Sequence, residues 1–268
     1  MPEKDANMTL QFYKYQGTGN DFIMIDNREL KLPRANTAMV KDLCDRRFGI
    51  GGDGLIYLQE REGYDFEMVY FNSDGRESTM CGNGGRCIVR FAHDMGLGKN
   101  EFTFLAIDGP HSGRILPDGQ VSLQMQDVNA TFRQGEDYTL NTGSPHYVHF
   151  VSDIREYPVA SEGHRIRNSE NYKAEGINVN FVEELSKGSI FVRTYERGVE
   201  DETLSCGTGV VASAIAYYFH NNYQPNDIAI QTLGGRLHVK FNIQEMHFTD
   251  IWLTGPAEQV FKGEVTLG

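Results

Sequence analysis

The sequence predicts a mixed α/β protein made of two similar domains. Three observations carry this. Strand-like segments recur along the whole chain, with a few helical ones between them. The box Cys81-Gly-Asn-Gly84 returns as Cys206-Gly-Thr-Gly209 in the same strand–turn–helix setting. The segment after the second box, 210–219, is apolar nearly all round, and such a helix must be enclosed.

In chain order, 9–26 reads as strand, tight turn, strand, with Gly17-Thr-Gly-Asn-Asp21 as the turn and Asn20 at its tip in a left-handed backbone. Residues 37–47 carry Met39, Val40, Leu43 and Cys44 at helical spacing, which makes Cys44 a core thiol. The glycine-rich run 47–54 lacks a P-loop lysine and reads as a bend into strand 55–59. Strand 66–71 leads through a polar turn to Cys81. Ile88, Val89, Phe91, Ala92 and Met95 then mark a helical face ended by Gly96.

Strands are expected over 102–107 and 113–126, the latter folded at Leu116-Pro-Asp-Gly119. The polar stretch 127–138 holds the expected junction. The domains are then 8–128 and 129–256, the first completed by strand 257–268, with 1–7 as a disordered extension. Further strands are expected over 138–141, 147–151, 176–182, 189–195, 228–232, 237–243 and 250–254. A short helix falls within 153–170, and 196–202 is a charged turn.

A net charge of −12 argues against nucleic acid and anionic membranes as main partners. No apolar run approaches the roughly 20 residues of a membrane span, and the N-terminal ten residues lack the apolar core of a signal peptide. Cys44, Cys81, Cys87 and Cys206 are too scattered for a disulfide framework and have no zinc spacing. The expectation is a cytoplasmic protein with no metal.

The repeat carries the chemistry. Cys81 and Cys206 are 125 residues apart, and that shift places Tyr70 on Tyr195, Asn72 on Arg197, Glu77 on Glu202 and Ser78 on Thr203. A shift of 124 places Gly19-Asn-Asp-Phe22 on Gly143-Ser-Pro-His146 and Gly54 on Asn178. Duplication puts paired groups about a pseudo-two-fold axis. Two helix N-termini would then face one anion, with a thiol on each side and each thiol pKa lowered by its helix dipole. A carboxylate held there presents its α-carbon to both. One thiolate can remove the α-proton while the other thiol protonates the opposite face. N–H donors aimed at the carboxylate stabilise the charge that gathers there.

These motifs resemble the diaminopimelate epimerase family over nearly the whole chain. The marks are Gly19-Asn-Asp-Phe22, Gly49-Ile-Gly-Gly-Asp-Gly54, Phe71-Asn-Ser-Asp-Gly75, Met80-Cys-Gly-Asn-Gly-Gly-Arg-Cys87, Pro145-His146, Asn178, Tyr195-Glu-Arg-Gly198 and Cys206-Gly-Thr-Gly209. The resemblance implies two domains, each a β-sheet or barrel wrapped around a central helix. It implies a cofactor-independent epimerase, usually a homodimer, that acts on the small molecule diaminopimelate with Cys81 and Cys206 as acid and base. Gly82, Asn83, Gly207 and Thr208 would hold the reacting carboxylate, and Asn20, Asn72, Asn178, Glu196 and Arg197 the rest of the substrate. His146 and Glu196 would tune the thiol pKa values. Phe261 in the last strand is a candidate interface aromatic, with a core position as the alternative.

Three departures stand out. Ser144 replaces the usual Asn before Pro-His, Gly54 replaces a glutamine found in some members, and the acidic turn at Glu200-Asp-Glu202 is one residue longer than usual. Proline-type racemases resemble the chain less, because they carry Cys-Gly-His-Gly in the first box. Phenazine-type isomerases lack the cysteine pair. A non-catalytic amino-acid binder would not need either thiol, and a thiol redox switch would need only their proximity.

Overall fold

The computed structural model describes residues 8–34, 36–129 and 131–267. The expected extension 1–7 lies outside the described residues. Two compact units emerge. The first takes in the described residues up to Met80, Gly84–Ile115 and the stretch from Ala257, and the second takes in Cys81–Asn83 and Leu116–Pro256. The division thus falls at 115/116, ahead of the 128/129 expected from polarity. The physical reason is pairing: β7 (Val121–Gln124) is laddered to β16 (His247–Gly255), with Leu123 opposite Leu253.

In the first unit, β1 (Met8–Gly17), β2 (Asn20–Asp26), β3 (Gly54–Gln59), β4 (Phe66–Asn72), β5 (Glu101–Ala106) and β6 (Gly109–Ile115) pair in succession, and β17 (Glu258–Leu267) adds to β1. All six residues of β3 are buried, so both faces of the strand are covered and its sequence runs apolar without alternation. One face packs on α1 (Thr37–Cys44) in a cluster of Ile23, Ile25, Val40, Leu43, Leu55, Tyr57 and Val69. Cys44 lies in this core, where burial pushes its thiol up to about 12. The helix is shorter than the expected 37–47, because Asp45 turns extended and its carboxylate accepts the Arg47 and Phe48 N–H groups. Helix α2 (Gly82–Asp94) packs Phe91 on Tyr13 and Tyr15 of β1.

The second unit follows the same plan. Strands β9 (Asp137–Asn141), β10 (Pro145–Phe150), β11 (Asn178–Ser186), β12 (Ser189–Glu196), β14 (Asp227–Thr232) and β15 (Gly235–Gln244) pair in succession. The alternation of sense matches the first unit step for step: antiparallel, parallel, antiparallel, parallel, antiparallel. Helix α3 (Val159–Arg167) covers one face of β11 and β12. Helix α4 (Gly207–His220) is touched by β9, β10, β11, β12, β14 and β15. Its residues Gly209–Tyr217 are all buried, as its composition requires. The fold is therefore α/β and sheet-dominated, with an enclosed helix in each unit.

The ladder register corrects two equivalences, Tyr70 with Tyr195 and Asn72 with Arg197. Phe22 stands opposite Gly54 and His146 opposite Asn178, which preserves the shift of 124. Leu55 stands opposite Phe71 and Val179 opposite Tyr195, so the shift is still 124 on β4 and β12. Asn72 therefore matches Glu196, not Arg197. A one-residue slip would reverse the faces of a strand, so the sheet cannot absorb it. The extra residue enters the following turn, where Phe71 bridges Glu77 but Tyr195 bridges Glu202.

Local corrections have simple causes. Asn20 is paired with Gly17 rather than placed at the hairpin tip, and the positive φ values belong to Thr18 and Gly19. The polar stretch 127–138 contains β8 (Thr131–Gln134), which pairs with β9. The charged turn 196–202 ends in β13 (Asp201–Thr203), which extends the ladder on β12.

Candidate active site

The site is best seen from Cys206, the residue that caps the N-terminus of α4 in an extended conformation. Its sulfur is 3.5 Å from Thr208 Oγ1. Burial pushes the thiol up to about 12, and the Glu196 carboxylate and Cys81 add to the rise. The Thr208 hydroxyl and the Gly209 amide oppose it without prevailing. The expected lowering is not found at Cys206: desolvation of the buried sulfur outweighs the hydrogen bonds that favour thiolate. Burial thus favours the thiol form of Cys206.

The two boxes meet at their glycines. A Cβ on Gly82 would stand 3.3 Å from Gly207 Cα, and both glycines lie against Leu253 Cδ2. Asn83 is buried and its Nδ2 donates to the Ser205 carbonyl at 3.1 Å. Its side chain thus ties one box to the other. Cys81 is partly exposed, and its influence on Cys206 shows that the sulfurs lie within electrostatic reach of each other.

His146 is fully buried on β10. Burial, with the Arg197 charge, holds it far below the ordinary imidazole range, at about 3, so the ring is neutral. Nε2 is 2.9 Å from Thr208 Oγ1 and Nδ1 is 3.1 Å from Asn180 Nδ2. Asn178 is also buried. Its Nδ2 donates to Ser144 Oγ at 2.7 Å and to the Pro145 carbonyl at 3.0 Å, and its Oδ1 accepts the Arg197 N–H at 2.9 Å. Three expected ligands, Ser144, Asn178 and Arg197, are therefore one hydrogen-bonded group. The exposed Arg197 side chain also donates to the Glu175 carbonyl.

The acidic turn is held by the residues around it. Glu200 accepts the Gly198 N–H at 3.0 Å and pairs with Arg167 at 3.3 Å, while Glu202 pairs with Arg193 at 2.6 Å. Arg193 also donates to the Ile154, Arg155 and Tyr157 carbonyls. Glu200 and Glu202 of the acidic turn are thus each paired with an arginine.

Asn20 and Asn72 stand in the first unit. Asn20 Nδ2 donates to Asp53 Oδ2 at 2.5 Å, and Arg46 bridges Asp53 and Asp21. Asn72 opens the turn after β4, its carbonyl accepting the Gly75 N–H at 2.9 Å. Phe261 lies on β17, is 46 % exposed and sets its ring edge-on to Phe12. That exposure excludes a core role for it within the chain.

Asn180 and Thr194 escaped the sequence reading. Thr194 Oγ1 donates to Asn180 Oδ1 at 2.9 Å, beneath His146. One signal was present: Asn180 is two residues from Asn178, hence on the same strand face. Among the described residues, no group of three or more His, Cys, Asp or Glu side chains could hold a metal ion.

Comparison with known proteins adds to this geometry. The family model described as diaminopimelate epimerase matches residues 12–131 and 138–260. A protein of that name from Flavobacterium psychrophilum is 53% identical over 253 residues, covering 94% of this chain and 99% of its own. One from Chlorobaculum tepidum is 41% identical, with coverage of 94% and 99%. Among solved structures, a phenazine biosynthesis protein of the PhzF family from Bacillus anthracis aligns with a TM-score of 0.75 at 15% identity, covering 97% of this chain and 100% of that one. A hydroxyproline epimerase from Agrobacterium vitis aligns at 0.66 with 11% identity, covering 97% and 93%. These two likenesses speak for the fold alone.

Proposed function

The chain belongs to the diaminopimelate epimerase family, and we propose that it interconverts L,L- and meso-2,6-diaminopimelate by proton exchange between two thiols. The observation that carries the reading is the abutment of the two cysteine boxes at Gly82 and Gly207. In this reading the two sulfurs and the first main-chain N–H groups after each of them share one substrate position.

In the proposed reaction those N–H groups, from Gly82, Asn83, Gly207 and Thr208, receive the α-carboxylate. The Cys81 thiolate removes the α-proton and becomes a thiol. The electron pair released from the C–H bond spreads into the carboxylate, where the N–H donors stabilise it. The Cys206 S–H bond then breaks toward the opposite face of the carbon, which leaves Cys206 as thiolate and the centre inverted. In the reverse direction the roles exchange. The resting proton on Cys206 suits this order, since burial favours the thiol. No cofactor or metal has a part in it.

Asn20, Asn72, Asn178, Ser144, Glu196 and Arg197 are proposed as ligands for the remainder of the substrate. Arg197 offers a guanidinium to a carboxylate and Glu196 a carboxylate to an ammonium. His146 and Glu196 are proposed to set the thiol pKa values. We further propose a cytoplasmic homodimer serving lysine and cell-wall precursor synthesis, with the exposed Phe261 at its interface.

Incubation with L,L-diaminopimelate in heavy water tests the reading. Deuterium at one α-carbon and formation of the meso isomer without added cofactor are expected. Intact protein that incorporates none would overturn it.

A further inference from the structure

Beneath the Cys206 box lies a chain of polar side chains that the sequence motifs do not include. It runs Thr194, Asn180, His146, Thr208, Cys206, across β12, β11, β10 and the head of α4. Thr194, Asn180 and His146 are buried, so each hydrogen must find an acceptor within the protein.

The orientation of the Asn180 amide is fixed from two sides. Its Nδ2 is 3.0 Å from the Tyr147 carbonyl, which can only accept. Its Oδ1 is 2.9 Å from the Thr194 hydroxyl. The second amide hydrogen then faces His146 Nδ1 at 3.1 Å. That nitrogen must present its lone pair, so a neutral ring carries its proton on Nε2. The Nε2–H donates to Thr208 Oγ1 at 2.9 Å. The Thr208 oxygen is thereby an acceptor on the His146 side, which leaves its own hydrogen available to the Cys206 sulfur at 3.5 Å. Packing holds the array in place. A Cβ at position 209 would stand 2.3 Å from Asn180 Oδ1 and 3.3 Å from His146 Cε1, so only glycine lets α4 start here.

We infer that Asn180 is a positioning residue for the reaction: its amide selects the Nε2–H form of His146 and so directs the Thr208 hydroxyl hydrogen at the Cys206 sulfur. A donated hydrogen bond favours thiolate over thiol. Without it the buried sulfur meets burial and the Glu196 charge with less support. The inference rests on the two-thiol reading of the site, but its first test does not depend on that reading.

The test begins with wild-type protein carrying 15N-labelled histidine. Long-range proton–nitrogen correlation spectra, with His146 assigned from the peak lost in His146→Gln, should show Nε2 protonated and Nδ1 bare at neutral pH. An Nδ1–H ring or a doubly protonated one overturns the inference, whatever any variant does. The second arm is Asn180→Asp, which keeps the shape and removes the donor. It should place a proton on Nδ1 and slow deuterium exchange into diaminopimelate by about ten- to a hundredfold. In a His146→Gln background the same substitution should change the rate less than twofold, because the tautomer no longer exists to be set. An equal loss in both backgrounds means a merely structural asparagine and overturns the inference. Failure of the wild type to exchange deuterium would remove the epimerase reading and leave the tautomer result standing.

Discussion

A β-carbon on Gly207 would stand 3.1 Å from Gly82 Cα and 3.5 Å from Gly82 N, so the two boxes touch through bare backbone. Gly82 and Gly207 follow the two cysteines directly, and their approach is what brings Cys81 within electrostatic reach of Cys206. A methyl group at either position would push against main chain, which cannot rotate away.

Gly82→Ala and Gly207→Ala should therefore each lower stability by about 1–3 kcal/mol through overpacking. Each should also cut solvent exchange at the substrate α-carbon more than tenfold, since the boxes are forced apart. Urea midpoints and deuterium incorporation measure the two effects. An alanine variant with wild-type values for both would contradict the contact.

Cys81→Ala and Cys206→Ala should each reduce deuterium exchange by at least about a hundredfold, the usual scale for losing a proton-transfer group. Calorimetry should still detect bound diaminopimelate, because the proposed N–H donors and Arg197 remain. A non-catalytic binder predicts no exchange to lose in the wild type.

The sign of the His146 effect on stability can be worked out from its shift. Its folded pKa, about 3, lies below the ordinary 6.5. Between those values the unfolded chain binds a proton that the folded protein refuses, so stability falls as pH drops from 6.5 toward 3. The slope from this one group is at most about 1.4 kcal/mol per pH unit. Urea denaturation at pH 7, 6, 5 and 4 should show a shallower decline in His146→Gln than in the wild type. Parallel declines would mean that His146 is not held neutral.

Glu200→Gln removes the charge from the turn that carries Arg197. The Arg167 pair is partly exposed, so the stability change should stay within about 1 kcal/mol. The Gly198 N–H loses a charged acceptor and the Arg197 segment loosens. Steady-state assays should show KM raised a few-fold with kcat nearly unchanged. A fall in kcat alone would place Glu200 in the chemistry instead.

Much of this was legible in the chain. The cysteine boxes could be read because helix-mouth glycines and a repeat at fixed spacing are local patterns. The enclosed helix could be read because Val210 to Phe219 offers no polar face to water. The division at 115/116 could not, because β7 joins the second unit through a ladder to β16, far away in sequence. Counting from the cysteines pairs Asn72 with Arg197, whereas the ladders pair it with Glu196 and move the extra residue into the turn.

The α/β class, the duplication and the two thiols are all written in residue type and spacing. The balance at the Cys206 thiol depends on packing that no local pattern shows. A helix dipole is a property of local sequence, and it favours thiolate at Cys206. Desolvation is a property of everything packed around the sulfur, and it prevails. The same holds for Asn180. Its type was visible, but its hydrogen bonds to Tyr147, His146 and Thr194 exist only because β10, β11 and β12 lie side by side.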